Sequence, residues 1–446
     1  MLTALFKNLK LTNMAVNKVF VTEKNIREVG VHLCPGQNLY NGVKPLEKEF
    51  GSLNSLEVDL LNVASGIFAA DLSIQREERE FFIRDFEITI EVVNLSSFEQ
   101  IKDLLETALL TVSKDNWTIN FIQKDGTPVT NFDWHNKEGA ALLFSGGLDS
   151  MCAASDFVRE NKDVVLVSHN SHGNKVVDDC QNNVHSLLEK YYSKKIKHIH
   201  VKVYGRNLGD FTFPTERENT QRTRSFLFLC LAAIVSRRSN FNKVLYMAEN
   251  GQFAIHLPLN QSRIGPFSTH TADPQFVQIT KDLLKTLLRN PEFDIVNPYL
   301  YKTKAEVFAV LPEELKKQSN LSASCWMISR IPDNKHCGFC VPCISRRISL
   351  EYNNIEFDEY ANDIFRTDLN SLSDTDDKRR NIVDYLEFIS KFRDLTDAKK
   401  AELVLEFPEL YNSSFNTDNA IEMYGRVSTQ SITVFQKYPN ILKLIE

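Results

Sequence analysis

The sequence lacks an apolar run long enough to cross a bilayer, and its first residues lack the charged, apolar and small-residue order of a secretory signal peptide. It also lacks internal repeats and long low-complexity stretches, which argues against solenoid and disordered classes. These absences predict a globular cytoplasmic protein with no membrane partner.

An excess of positive charge is also absent. The chain has 52 Lys and Arg against 58 Asp and Glu, a net charge of −6, whereas nucleic-acid binders usually carry a basic surface. Nucleic acid is therefore not expected as a partner, although a local basic groove stays open. A length of 446 residues predicts two or three domains.

Cysteine is scarce, and its eight positions fall into two groups. Four are scattered in apolar surroundings and are predicted to be small core residues: Cys34, Cys152, Cys180 and Cys230. The other four are clustered, which in a cytoplasmic protein indicates a metal site before a disulfide: Cys325, Cys337, Cys340 and Cys343. Four thiolates at this spacing suit one tetrahedral zinc with a structural role, and an iron–sulfur cluster is the alternative. His336 is a fifth candidate ligand, predicted instead to face solvent.

What the sequence does contain is a strand, a turn and a helix in the order of a phosphate site. Residues 139–144 form an apolar run typical of a strand buried on both faces. Residues 145–150, Ser-Gly-Gly-Leu-Asp-Ser, form a glycine turn with two hydroxyls that opens an amphipathic helix. Such a turn binds phosphate. It lacks the lysine of the GxxxxGK[ST] loop, and a surface turn rich in small residues is the alternative.

Strands and helices alternate from Gly139 to about Leu257, which predicts a parallel sheet. Ligands bind such sheets at the carboxyl ends of the strands. The rule selects four groups of residues that should line one site: 145–150; His169, His172, Gly173, Asn174 and Lys175; Tyr204, Gly205 and Arg206; and Glu249, Asn250 and Gly251. Residues 1–138 are predicted to be a separate α+β domain, and the chain after about residue 258 to be mainly helical.

The motif Ser-Gly-Gly-x-Asp-Ser at 145–150 resembles the PP-loop of the ATP pyrophosphatases. Together with Cys325 and the stretch Cys-Gly-x-Cys-x-x-Cys-x-x-Arg at 337–346, it resembles the QueC family of 7-cyano-7-deazaguanine synthases. The resemblance implies an α/β fold, a PP-loop (HUP-like) parallel sheet with helices on both faces. It divides the chain into an N-terminal α+β accessory domain (1–138), a PP-loop domain with the four-cysteine zinc site (139–350) and a C-terminal helical extension (351–446).

For individual residues, the resemblance implies that residues 145–150 bind the phosphates of ATP and that the four cysteines bind Zn²⁺. Asp149 is also a candidate to orient Mg²⁺, with capping of the following helix as the alternative. Three residues are assigned to catalysis: Asp149, Ser150 and Arg224. Nucleotide binding is assigned to Ser145, Gly146, Gly147, Leu148, Asp149, Ser150, His169, Gly173, Lys175, Glu249, Asn250 and Arg346.

The chain departs from the family pattern on the substrate side, because Ser225 stands where the family has Asn after Arg224, and His172 and Asn174 replace the neighbours of Gly173. The resemblance therefore implies adenylation of a 7-deazaguanine carboxylate, followed by C–N bond formation. The amine would be either ammonia, which gives an amide and finally a nitrile, or an amine on a partner protein. The second acceptor would match the QueC-like proteins of the Qat and type IV CBASS anti-phage systems. The alternatives are a tRNA-modifying PP-loop enzyme and a non-catalytic nucleotide-binding subunit, and a homodimer stays open.

Overall fold

The structure is a computed structural model, and it describes residues 19–23, 31–76, 82–130, 137–170, 175–209, 213–241, 244–260, 271–331, 333, 335–356 and 360–443. Within these residues, no helix combines the length and the apolar character needed to cross a membrane.

The N-terminal part is a four-stranded mixed sheet with helices against it. Its elements in chain order are β1 (Val19–Glu23), β2 (Val31–Leu33), β3 (Leu39–Tyr40), α1 (Val43–Phe50), α2 (Ser55–Ser73), β4 (Asp85–Val92), α3 (Leu95–Ser113) and β5 (Asn116–Gln123). The strand order is β2-β1-β4-β5, and only β4 and β5 run parallel. Side chains of β4 alternate between buried and half-buried, as the alternating sequence predicts.

The central part is a five-stranded parallel sheet with helices on both faces. Its elements are β6 (Ala140–Leu143), α4 (Leu148–Arg159), β7 (Val164–Asn170), α5 (Lys175–Tyr192), β8 (Lys197–Lys202), β9 (Tyr204–Gly205), α6 (Arg224–Arg238), β10 (Val244–Tyr246), α7 (Gly251–Ile255), α8 (Pro274–Leu287) and β11 (Asp294–Val296). The order β11-β10-β6-β7-β8 is parallel throughout and confirms the predicted fold class. All four residues of β6 are buried.

One strand was not expected. The sequence after residue 258 predicts helices, yet Asp294–Val296 pairs with β10 as the fifth strand of the sheet. Three residues are too short to show a period. The loop after β11 therefore also opens at the ligand-binding edge.

The remaining chain is helical. It contains α9 (Lys304–Ala309), α10 (Glu313–Lys316), α11 (Val341–Tyr352), α12 (Asp377–Lys391), α13 (Asp397–Glu406), α14 (Thr417–Phe435) and α15 (Pro439–Leu442). Helices α12 to α15 share a hydrophobic core with α7 and α11. The C-terminal helices thus pack on the central part, directly behind the loop that follows β10.

The N-terminal sheet and the central sheet share one hydrophobic cluster. Helix α2 contacts both β4 and α6, and β3 pairs with β9 across the two parts. The three-way division of the chain stays a prediction, because continuous packing neither sets nor removes a boundary at residue 138.

Buried charges reinforce this contact. Arg84 bonds to Asp71 at 2.6 Å and to Asp115 at 2.7 Å, and Arg76 bonds to Asp115 at 2.6 Å. The other oxygen of Asp71 accepts hydrogen bonds from the backbone N–H and the hydroxyl of Thr223, both at 2.9 Å. Residue 223 precedes α6, so the network connects the N-terminal part to the start of that helix.

We expect Asp71→Asn to lower the free energy of unfolding by about 3–5 kcal/mol, because it leaves a buried arginine with less compensation. Burial raises the pKa of Asp71, but Arg84 and the bond from Thr223 outweigh burial, so the pKa lies below its usual value. A lowered pKa stabilises the fold above about pH 4, and this stabilisation is lost as the pH falls below that value.

Urea unfolding at pH 7 and pH 3.5 measures both effects, and the variant should show the smaller pH dependence. Asp163→Asn is the matched control, because its partner Lys137 is exposed and the pair should contribute less than about 1 kcal/mol. Equal losses in the two variants would contradict a buried network.

Candidate functional site

The glycine turn has the geometry of an anion cradle. Gly146 has φ of 76°, and a Cβ there would lie 2.9 Å from the backbone nitrogen of Gln181, so a larger residue does not fit. Gly147 is the N-cap of α4, and the hydroxyls of Ser145 and Ser150 lie 3.3 Å apart. The first N–H groups of α4 have no partner within the helix, so they are available to phosphate oxygens.

A cleft of about 220 Å³ lies over this turn. Its walls come from the loops that follow β6, β10 and β11, and from the segment before the cysteine cluster. It is lined by Ser145, Gly147, Leu148, Asp149, Ser150, Ala248, Glu249, Phe253, His256, Thr271, Lys304, Ala323, Ser324, Trp326 and Pro342.

Asp149 lies at the floor of the cleft and bonds to residues from two other loops. One carboxylate oxygen accepts from the ammonium of Lys304 at 2.8 Å, and the other accepts from the side chain of Asn250 at 2.7 Å. Both partners of this ion pair are buried. Gly147 caps α4 without a side-chain bond, so the structure does not use Asp149 as the helix cap. Its carboxylate instead connects three loops.

Glu249 lies beside Asp149, and the two carboxyl groups share a hydrogen bond. Burial and the charge of Asp149 hold the pKa of Glu249 well above its usual value. Burial would also raise the pKa of Asp149, but Lys304 outweighs it and lowers that pKa to about 2. The pair therefore holds one proton on Glu249 and one negative charge on Asp149 at neutral pH.

The four clustered cysteines converge as their spacing predicts. Their sulfur atoms all lie within 4.8 Å of one another. The Sγ atoms of Cys337 and Cys343 are 3.8 Å apart, and those of Cys340 and Cys325 are 3.9 Å apart. Sulfurs bound tetrahedrally to zinc at about 2.3 Å are separated by about 3.8 Å. The cluster therefore has the dimensions of a structural zinc site.

We compared the sequence with known protein families. Residues 139–354 match the family described as queuosine biosynthesis protein QueC. This segment is QueC-like.

Two curated relatives agree with the family match. A 7-cyano-7-deazaguanine synthase of Hahella chejuensis is 26% identical over 228 residues, which cover 48% of this chain and 89% of that protein. A 7-cyano-7-deazaguanine synthase of Sulfolobus acidocaldarius is 22% identical over 333 residues, which cover 69% of this chain and 67% of that protein.

Some of the predicted site residues lie at the cleft and others do not. Residues 145–150, Glu249 and Asn250 meet at the cleft or its floor. His169 is buried between the rings of Phe68 and Phe228, and Lys175 is exposed at the start of α5. Tyr204, Gly205 and Arg206 do not line the cleft. His172, Gly173 and Asn174 lie outside the described residues. Arg224 bonds to the carbonyl of His169 at 3.1 Å.

Arg346 lies behind the phosphate loop. It is fully buried and donates to the hydroxyls of Ser322 and Ser324 and to the carbonyl of Ser319. The same segment meets the loop directly, since the N–H of Ala323 donates to the carbonyl of Gly146 at 2.9 Å. Arg346 thus holds in place the chain segment that joins the phosphate loop to the cysteine cluster.

Sequence reasoning missed several lining residues, above all Lys304. It follows the overlooked strand β11, so the rule of carboxyl ends would have selected it had that strand been recognised. A capping box between Thr303 and Glu306 marks the helix that begins at Lys304. Trp326, 55% exposed at the rim, gave no signal beyond its place after Cys325.

The prediction for His336 was wrong. It is buried, and its Nε2 accepts a hydrogen bond from the N–H of Ser324. Burial lowers its pKa to about 3, so the ring is neutral. It belongs to the packing between the cysteine cluster and the segment that reaches the phosphate loop. The prediction of core positions holds for Cys34, Cys152 and Cys230, whereas Cys180 is half-buried.

We expect Cys340→Ser to lose bound metal and to lower the free energy of unfolding by more than about 3 kcal/mol, because a structural zinc contributes directly to folding. Metal content per chain and urea unfolding measure the two effects. Cys180→Ser, at a half-buried thiol outside the cluster, should keep the metal. A stable, metal-free and active Cys340→Ser protein would refute a structural role for the site.

Proposed function

We propose that the QueC domain uses ATP to adenylate the carboxylate of a 7-deazaguanine and then joins the acyl group to an amine. The support for the substrate is the similarity to two 7-cyano-7-deazaguanine synthases. The observation that carries the chemistry is the buried pair of Lys304 and Asp149 on the floor of a cleft lined by the phosphate loop.

In the first step, a carboxylate oxygen attacks the α-phosphorus of ATP and pyrophosphate leaves. The N–H groups at the start of α4 and the hydroxyls of Ser145 and Ser150 would bind the departing phosphates. Lys304 would add positive charge next to them. Such preorganised donors stabilise the negative charge that develops on the leaving group.

In the second step, an unprotonated amine attacks the acyl carbon and AMP leaves. With ammonia the product is an amide, and with a side-chain or terminal amine it is a conjugate on a partner protein. The protein's task is to position the reactants and to exclude water. The protein acceptor is the one that a role in anti-phage defence would require.

Two metals fit the residues present. Asp149 offers hard carboxylate oxygens, and Glu249 a carboxyl oxygen, beside the phosphate loop, where Mg²⁺ would neutralise phosphate charge. The four cysteines would hold Zn²⁺ with every ligand position filled, and therefore without a catalytic role.

Product analysis by mass spectrometry tests this function. The protein would receive ATP, Mg²⁺ and 7-carboxy-7-deazaguanine, with and without ammonium and with candidate partner proteins. We expect AMP and pyrophosphate only when the deazaguanine is present, and the mass of the product names the acceptor. AMP formed instead with tRNA would favour RNA modification. If no AMP formed under any condition, the remaining function would be that of a non-catalytic nucleotide-binding subunit.

We expect Lys304→Gln to lower the rate of AMP formation by about 10²- to 10³-fold, because it removes the cation beside the phosphates. Lys302→Gln is the matched control: this exposed lysine lies over the ring of Tyr299 and does not line the cleft. Single-turnover assays at saturating ATP separate the chemical step from binding. Equal rates for the two variants would contradict a role for Lys304 in phosphate transfer.

A further inference from the structure

Arg224 is the first residue of α6 and lies at the carboxyl end of β7. Its Nη2 donates to the backbone carbonyl of His169 at 3.1 Å, and its guanidinium lies over the ring of Phe228 at 5.1 Å. The imidazole of His169 packs edge-on between that ring and Phe68 of α2. These rings hold the arginine against the edge of the sheet.

The charge of Arg224 is uncompensated. Among the residues that the structure describes, no carboxylate forms an ion pair with it, and its buried Nε has no hydrogen-bond partner. Burial alone lowers the pKa of Arg224 to about 10. Arg84, by contrast, is buried against two acidic partners, Asp71 and Asp115. Arg224 as a whole is half-buried, but its Nε is buried. A cation whose N–H group is buried without an anion is costly, and a bound anion would remove that cost.

Sheet register places this cation beside the phosphate loop. Leu143 pairs with Val167 on neighbouring parallel strands, and the N–H of Phe144 donates to the carbonyl of Val167. The hydroxyl of Ser168 also donates to the carbonyl of Phe144, so residues 144 and 168 lie side by side, and residues 145 and 169 each follow directly from this pair. Arg224 therefore flanks the loop from the β7 side, while Lys304 reaches its floor from the β11 side.

We propose that Arg224 binds the carboxylate of the substrate acid and holds it toward the α-phosphate of ATP. This inference rests on the proposed function. The free Nε–H and the second N–H of Nη2 lie on one edge of the guanidinium, which matches the two oxygens of a carboxylate. Adenylation requires that carboxylate to lie next to the phosphate loop, and Arg224 is placed there without any competing acid.

The N-terminal part positions this arginine. Asp71 accepts from both the N–H and the hydroxyl of Thr223, the residue before Arg224, and is itself held by Arg84. Both Asp71 and Phe68 belong to α2, outside the QueC match. Residues of α2 therefore serve the site by fixing the start of α6 and the ring of His169.

Calorimetric binding tests the role of Arg224. The protein, saturated with Mg²⁺ and a non-hydrolysable ATP analogue, would be titrated with 7-carboxy-7-deazaguanine and with its neutral carboxamide. We expect Arg224→Gln to weaken binding of the acid by about 10- to 100-fold, because it removes charge-assisted hydrogen bonds. Affinities for the carboxamide and for the ATP analogue should change by less than about threefold.

Arg217→Gln is the matched control, since Arg217 also bonds to a backbone carbonyl and lies over a phenylalanine ring; it should bind like the unaltered protein. Equal weakening of acid and carboxamide by Arg224→Gln would show a packing role and overturn the proposal. Weaker binding of the ATP analogue alone would assign the arginine to a phosphate and also overturn it.

A further experiment distinguishes failure of this inference from failure of the proposed function. If the unaltered protein binds no deazaguanine and forms no AMP with the acid, the proposed function fails. The arginine is then judged by NMR binding of pyrrole-3-carboxylate, the acid fragment alone. Binding that Arg224→Gln abolishes supports a carboxylate site, and binding that is absent or unchanged overturns it.

The positioning role has its own readout. Thr223→Val removes the hydroxyl bond to Asp71, and Thr223→Ser retains it. We expect the valine variant to lose about three- to tenfold in its preference for acid over carboxamide, and the serine variant to keep it. Equal losses for both ligands in the valine variant would indicate general destabilisation and contradict positioning.

Discussion

The buried pair of Asp149 and Lys304 is the interaction on which the site depends. Asp149 comes from the turn after β6, Asn250 from the loop after β10 and Lys304 from the loop after β11. Backbone and amide contacts tie the last two loops together, because Asn297 bonds to Glu249 and the N–H of Gly251 donates to the carbonyl of Lys302. A single ionised carboxylate therefore sets the distance between the phosphate loop and its facing wall.

The cysteine cluster supports the same loop from behind without taking part in the chemistry. Cys325 directly follows the segment 322–324. In this segment, Ala323 bonds to Gly146, and the hydroxyls of Ser322 and Ser324 accept hydrogen bonds from Arg346. Several backbone N–H groups donate to the sulfurs, including those of Cys337 and Met327 to Cys325, and such bonds stabilise thiolate ligands. A metal in this cluster would rigidify the phosphate loop through one short stretch of chain.

The regions outside the QueC match contact the segments that carry the site without lining the cleft. On one side, Asp71 and Phe68 of the N-terminal part fix Thr223 and His169. On the other, Tyr424 of α14 bonds to the backbone of Gln252 and Leu257 around α7. Arg426 bonds to Glu306 and to the carbonyl of Tyr301, beside Lys304. Segments outside the family match therefore support the helices and loops around the cleft.

The elements with local signals could be predicted from the amino-acid sequence alone. The buried strand, glycine turn and helix at 139–150 follow from consecutive residues, and the cysteine cluster follows from spacing. The alternating strands and helices predicted a parallel sheet, and the carboxyl-end rule correctly brought Glu249 and Asn250 to the turn. The resemblance to the QueC family rested on the same local motifs, which is why the comparisons confirmed it.

The pairing of charges and the contacts between residues of different loops could be seen only in the folded structure. Lys304 reaches Asp149 from 155 positions away in the chain, after a strand of three residues that carries no periodic signal. Arg224 and Arg84 are alike as sequence symbols, yet Arg84 pairs with two buried acids and Arg224, within the described part of the chain, pairs with none. His336 is buried although the sequence predicted that it faces solvent. Burial and partnership depend on contacts distant in sequence, so no local pattern could establish them.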